Sequence, residues 1–327
     1  LPPGLSLALW IIIAVAGVLL FLAGLGLMIY IFALKTYHQI FDRPYPRPPY
    51  DKSPLKIEQK TMIGRGKNWF YTNRMDFSDI QITSFDRIKL AAYYRPPENK
   101  KNRALIVLIH GWKDHPSDMG AYAQMILNHT DCHILIPHLR AHGMSKGRFI
   151  GYGLYDSQDI LFWIRFMEKR LEGPLKIILY GRSMGAVTAL LAAASNKTPA
   201  SVCGVIADSP FDSLEKQIQS VVKKRFHFRG RLLTNLVGNI ARKRIGFPIK
   251  KAVVSPVAGR IKIPVLLLHG AEDQFVSLTM SEGIYNRLNC PKRMVIFDNA
   301  GHLNGFDVSP RQYSDEIKKF LRVCKVG

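Results

Sequence analysis

The chain has 327 residues and a formal charge of +22, from 46 Lys and Arg against 24 Asp and Glu. That length holds one large α/β domain plus a small extra element. The four cysteines, Cys132, Cys203, Cys290 and Cys324, lack CxxC spacing, which excludes a disulfide framework or a zinc site of the usual pattern.

The first element is an uncharged run over residues 5–34. Thirty residues at about 1.5 Å each exceed the roughly 30 Å of a bilayer's hydrocarbon core, so the run predicts a membrane-spanning helix. It is about twice as long as the apolar part of a cleaved signal, so a retained single-pass anchor is expected, with the lipid bilayer as partner. Lys35, Arg43, Arg47, Lys52, Lys56 and Lys60 follow it. Taken literally, the positive-inside rule places the large domain in the cytoplasm. The sequence starts at Leu1 rather than Met, so the side is left open. Residues 35–75, with the proline-rich run 43–50, are expected to form a basic stand-off linker. The globular unit would then begin at Asp76 and have no need of the anchor.

From there the pattern alternates. Residues 77–84 and 88–95 predict an antiparallel strand pair, and 104–109 a buried strand ending in His110-Gly111-Trp112. A helix is expected over 117–128, capped by Ser117 or Asp118, then a strand over 132–137 and an amphipathic helix over 155–170. Strands over 175–180 and 202–207 flank a small-residue helix. Residues 213–256 are helical in tone and basic, with Lys223-Lys224-Arg225 and Arg242-Lys243-Arg244, and are expected to form a cap insertion. Sheet rhythm resumes with a strand over 263–269, a helix over 278–288, a strand over 293–297 and a last helix over 310–323. Strands alternating with helices predict right-handed βαβ units and a mostly parallel sheet.

The chemistry centres on Gly181-Arg182-Ser183-Met184-Gly185. Four apolar residues run into it and small apolar residues follow, which predicts a strand turning sharply into a helix with the Ser183 hydroxyl presented at the turn. Gly181 and Gly185 allow backbones to approach where a Cβ would not fit. A serine hydroxyl needs a base, and a carboxylate and a histidine are expected in the order Ser, Asp, His. Asp273 follows the strand 263–269 and His302 follows the strand 293–297, so His302 is the expected base and Asp273 the acid that orients it. Glu272 and Asp208 are rival acids. The expected oxyanion donors are the backbone N–H groups of Met184 and Trp112.

Six of the ten histidines fall between His110 and His142, where strand and loop roles explain them better than a metal does. The net charge predicts attraction to anionic lipid head groups or polymers, with the basic cap as a contact surface. No nucleic-acid-binding motif accompanies it, so nucleic acid is not an expected partner.

From about residue 76 to 323 the chain resembles an α/β-hydrolase, in particular the bacterial membrane-anchored hydrolases described as serine aminopeptidase-like or dienelactone-hydrolase-like. The resemblance is carried by His110-Gly111, Leu139-Arg140-Ala141-His142-Gly143-Met144-Ser145, the Gly181–Gly185 motif, Asp208-Ser209-Pro210-Phe211, His269-Gly270-Ala271-Glu272-Asp273 and Gly301-His302. It implies an eight-stranded sheet with flanking helices and the Ser183, Asp273, His302 triad, and it adds no cofactor and no metal. His138 departs from the Asp that often precedes the Leu-Arg pair. The family spans esterases, lipases, thioesterases, peptidases and acyltransferases, so the substrate does not transfer. Cleavage of a lipid-like or small acyl ester through an acyl-enzyme is the expected reaction. A peptidase or acyltransferase with the same triad, or a catalytically silent binding protein of this fold, are the alternatives.

Overall fold

The structure, a computed structural model, describes residues 3–43, 60–226 and 230–326. It opens with one long helix, α1 (Pro3–Phe41). Leu7–Phe41 is long and apolar enough to cross a membrane. From Leu7 to Phe32 nearly every large side chain is exposed, whereas Ala33, Tyr37 and Phe41 are buried.

The helix α2 (Met62–Thr72) leads into β1 (Ser78–Thr83), β2 (Lys89–Arg95) and β3 (Ala104–Ile109). Next come α3 (Gly120–Leu127), β4 (His133–Pro137), α4 (Asp156–Leu171), β5 (Lys176–Arg182), α5 (Met184–Ala193) and β6 (Val202–Asp208). The helices α6 (Leu214–Phe226), α7 (Arg231–Ile245) and α8 (Ser255–Ala258) interrupt the alternation where the cap was expected. It resumes with β7 (Val265–Gly270), α9 (Leu278–Arg287), β8 (Lys292–Phe297), α10 (Gly305–Val308) and α11 (Pro310–Val323).

The eight strands form one sheet in the order β1-β2-β4-β3-β5-β6-β7-β8. β1 and β2 pair antiparallel, as do β2 and β4, and the strands from β4 to β8 pair parallel. The central strands β3, β4 and β7 are buried along their whole length, which is why they read as unbroken apolar runs. One face carries α2, α3 and α11 and the other α4, α5, the cap helices and the end of α1. This is the α/β-hydrolase fold.

Two local expectations need correction. The stretch 35–75 is not all spacer. α1 continues to Phe41 within it, and α2 packs on α3 so closely that a Cβ at Gly66 would lie 2.1 Å from the Ala121 backbone. Phe70 of α2 is buried, its ring 5.0 Å from those of both Phe77 and Tyr93. An 11-residue helix holding two glycines has too little intrinsic helical signal to stand out. Beyond Arg43 the proline-rich run lies outside the described residues. The second correction concerns the turn before α3, which is capped by His115. Its Nδ1 accepts the Ser117 N–H, and Asp118 accepts the His115 N–H at 2.9 Å.

Candidate active site

β5 and β6 lie side by side, and the Ser183 N–H donates to the Asp208 carbonyl at 2.7 Å. Ser183 itself has φ 50° and ψ −114°, a conformation that L-residues adopt only under constraint, and Met184 begins α5 immediately after it. A Cβ at Gly181 would lie 2.1 Å from the Gly185 carbonyl oxygen, and one at Gly185 would lie 2.1 Å from that of Ile109. The turn is therefore wedged between its own helix and the end of β3, and only glycine fits at either position.

The loops after β7 and β8 bring up the partners. His302 Nε2 lies 3.1 Å from Ser183 Oγ, and His302 Nδ1 lies 2.7 Å from Asp273 Oδ2. A carboxylate only accepts, so Nδ1 carries the proton and Nε2 is left to accept from the serine. Asp273 Oδ1 accepts the N–H groups of Phe275 and Val276, both at 2.8 Å. Burial works against this carboxylate. Hydrogen bonds from His269 and His302, with the His302 charge and the Val276 N–H, outweigh burial and hold its pKa well below the usual carboxylate range.

The rival acids stand elsewhere. Asp208 is buried and accepts from Tyr313 Oη at 2.7 Å and Ser209 Oγ at 3.0 Å, and burial raises its pKa. Glu272 is exposed. The structure thus brings Ser183, His302 and Asp273 together and leaves Asp208 and Glu272 apart from them.

The two expected oxyanion donors sit on adjoining pieces of backbone. Met184 is the first residue of α5, so its N–H has no intrahelical acceptor. Trp112 lies in the loop after β3, where a Cβ at Gly111 would be 3.5 Å from the Arg182 carbonyl. The N–H groups flanking Trp112 are committed. That of Gly111 donates to Asp114 Oδ2 at 3.0 Å, and that of Lys113 to His142 Nε2 at 3.1 Å.

The histidine-rich segment ties this loop to the loop after β4. His110 Nε2 accepts the Leu139 N–H at 3.1 Å, and its Nδ1 donates to the Gly111 carbonyl at 2.9 Å. His142 donates from Nδ1 to the Arg140 carbonyl at 2.9 Å. Burial lowers the pKa of His110 to about 4 and that of His142 to about 3, so both rings are neutral. His138 Nδ1 accepts the Met144 N–H at 2.9 Å. That is a loop role.

Sequence reasoning gave His269 no role. It is fully buried, with Nδ1 2.8 Å from Ser281 Oγ and Nε2 3.1 Å from the Val276 carbonyl and 3.3 Å from Asp273 Oδ2. Nε2 faces two acceptors and so carries the proton. The only signal in sequence is a histidine four residues before the acid. Arg182 was passed over too. It is buried under the turn, 3.5 Å from Asp114 and 5.3 Å from the Tyr122 ring centre.

Residues 100–245 match the family described as serine aminopeptidase, S33. The chain is 25% identical to the uncharacterized protein YqkD of Bacillus subtilis over 248 residues, 76% of this chain and 80% of that one. An esterase of Pyrococcus furiosus superposes with a TM-score of 0.62 at 20% identity, covering 77% of this chain and 93% of its own. An acylaminoacyl peptidase of Pyrococcus horikoshii gives 0.57 at 19%, covering 77% and 42%. At such identities the solved structures establish the fold.

Proposed function

We propose that this chain, which has the α/β-hydrolase fold, is a serine hydrolase that cleaves carboxylic esters through an acyl-enzyme on Ser183, held at a membrane by α1. The observation that carries the reading is the unbroken run from Ser183 Oγ through His302 to Asp273, at 3.1 and 2.7 Å.

The steps follow from that run. Ser183 Oγ attacks the ester carbonyl carbon while His302 Nε2 takes the hydroxyl proton. The carbonyl oxygen becomes an oxyanion, to which the N–H groups of Met184 and Trp112 donate. The C–O bond to the alcohol breaks and His302 returns the proton to the leaving oxygen. Water then attacks the acyl-enzyme, again losing its proton to His302, and the acid and free Ser183 are released. Asp273 stays ionised throughout and stabilises the imidazolium.

The test is covalent labelling with a fluorophosphonate. The wild-type chain should take up one label and Ser183→Ala none. No uptake by the wild type, or equal uptake by the variant, overturns the proposal. A panel of acyl esters, thioesters and aminoacyl amides then separates ester cleavage from peptide cleavage, and added alcohol acceptors expose acyl transfer. Anchoring by α1 is supported by the bare apolar surface of residues 7–32. It predicts retention in the membrane fraction through high salt and alkaline wash, with release by detergent. Recovery of the chain in the soluble fraction excludes it.

A further inference from the structure

The last four carbonyls of a helix have no partner within it. In α1 these belong to His38, Gln39, Ile40 and Phe41. Asp42 N–H donates to that of His38. Lys113 Nζ donates to that of Gln39 at 2.7 Å. Trp112 Nε1 and Tyr152 Oη both donate to that of Ile40, at 3.3 and 2.8 Å. Ile150 N–H donates to that of Phe41 at 2.8 Å. So three of the four are taken by the hydrolase unit, and two of those by the loop that carries the Trp112 oxyanion donor. The Lys113 ammonium also meets the negative end of the helix dipole.

Packing fixes the same junction. The Phe41 ring lies 5.4 Å from that of Tyr152 and 5.2 Å from that of Phe247 beyond α7. Arg43 then donates to the carbonyls of Gly143 and Ser145, both at 2.7 Å, on the loop after β4. A flexible tether needs none of these contacts.

Distance gives the junction its meaning. The exposed apolar stretch 7–32 spans about 39 Å at 1.5 Å per residue, more than a hydrocarbon core of about 30 Å. Burial begins at Ala33, and Ile40 lies only about 10 Å further along the helix axis. The head-group layer on each side of a bilayer is about 5–8 Å deep. The oxyanion loop is therefore pinned about 10 Å beyond the end of the exposed apolar stretch, which is about a head-group depth above the ester group of an inserted amphiphile when that end marks the acyl boundary. An exposed aromatic side chain stands beside the proposed base, Phe275, with its ring 5.0 Å from that of His302.

We propose that residues 33–41 are a wall of the active site rather than a tether, and that the substrate is a bilayer-resident acyl ester drawn from the leaflet adjoining that wall. This rests on the acyl-enzyme reading above. The fixed junction holds Ser183 at one height over the membrane, so an ester group rises by about a head-group depth without its acyl chain leaving the bilayer.

The experiment uses the full chain in phosphatidylcholine nanodiscs and two fluorogenic esters, a water-soluble butyrate and an oleate embedded in the same discs. Fourteen Gly and Ser residues inserted between Phe32 and Ala33 leave the span and the docked turns intact but add about 20 Å of slack. Butyrate turnover should stay within twofold of wild type and oleate turnover should fall at least tenfold. Equal oleate turnover overturns the proposal. A second measurement needs no variant: a hexadecyl phosphonate should label Ser183 at least tenfold faster when placed in the enzyme's own discs than when supplied in empty ones. Equal rates overturn the proposal even if the insertion fails to fold. If neither ester is turned over and no phosphonate labels the wild type, the acyl-enzyme reading itself has failed. Butyrate turnover with the oleate untouched in wild-type discs rejects the bilayer substrate alone.

Discussion

The two sides of the candidate site are held by different means. Ser183, Asp273 and His302 stand at the ends of β5, β7 and β8, strands of one continuous sheet. The loop bearing Trp112 leaves the neighbouring strand β3, but it is fastened by side chains. Its anchors are the neutral rings of His110 and His142 and the end of α1. The proposed nucleophile, base and acid thus depend on the sheet alone, whereas the proposed oxyanion side depends also on the end of α1. Perturbations should accordingly divide. Changes at the strand ends should abolish chemistry with the fold intact, and changes on the other side should act through stability, height and substrate access.

The largest effects are expected at the strand ends. Ser183→Ala should cost on the order of 10⁴–10⁶ in kcat with an unchanged unfolding transition. Asp273→Asn should cost on the order of 10⁴, because an amide that donates to Nδ1 imposes the wrong tautomer on His302. Both are read by steady-state kinetics on a soluble ester. Retained turnover in Asp273→Asn, with loss in Asp208→Asn, would move the acid to the other carboxylate.

That side of the site was legible in sequence because its signals are local. A glycine on each side of Ser183, and strand-end placement of Asp273 and His302, each report geometry within a few residues. The sheet was legible for the same reason, since its central strands are buried end to end and stand out as apolar runs. The other side was not legible. The apolar run in α1 looks uniform whether it faces lipid or protein, and what divides it at Ala33 is contact with residues 70 to more than 200 positions away, such as Trp112, Tyr152 and Phe247. His269 was missed because its contact with Asp273 depends on how the β7 loop folds back.

The oxyanion side should fail first in acid. His110 and His142 have folded pKa values of about 4 and about 3, below the ordinary histidine value of 6.5, both because of burial. As pH falls below 6.5 the unfolded chain binds protons that the folded chain refuses. The stability these groups confer is complete above 6.5 and is lost as pH falls toward 4. For His110 alone the shift is worth about 3 kcal/mol, on the order of a hundredfold in the folding equilibrium. Urea midpoints of the detergent-solubilised chain should drop across pH 6.5 to 4, and His110→Gln, which keeps a donor and an acceptor, should flatten the drop. A midpoint constant over that range would remove the two rings from this role.

A smaller effect is expected at His269, which acts through Asp273. His269→Gln should lower kcat about tenfold and leave KM in place, the usual scale for a group that orients another. A change in KM with kcat intact would instead place His269 in substrate binding.

The smallest effect concerns charge at the base of α1. α7 ends beside the docked turns, with Arg244 over the Tyr37 ring at 5.8 Å, and Arg242 and Lys243 in that same last turn are exposed, as is Lys35 on α1. Basic groups at this height would lie against lipid head groups and be attracted to anionic ones. Exposed charges act over a Debye length of about 8 Å at physiological salt, so the attraction fades as salt rises. Replacing Arg242 and Lys243 by Gln should reduce turnover of a disc-embedded ester on the order of threefold in discs rich in phosphatidylglycerol at low salt, and leave it unchanged in phosphatidylcholine discs. Soluble-ester turnover should not respond in either lipid, because the charges lie on the height-setting side and not at the strand ends. An equal loss in both kinds of disc would show that the two residues act through the packing of α7 on α1 instead. A wild-type rate indifferent to phosphatidylglycerol would leave this part of the basic cap as a solvated face.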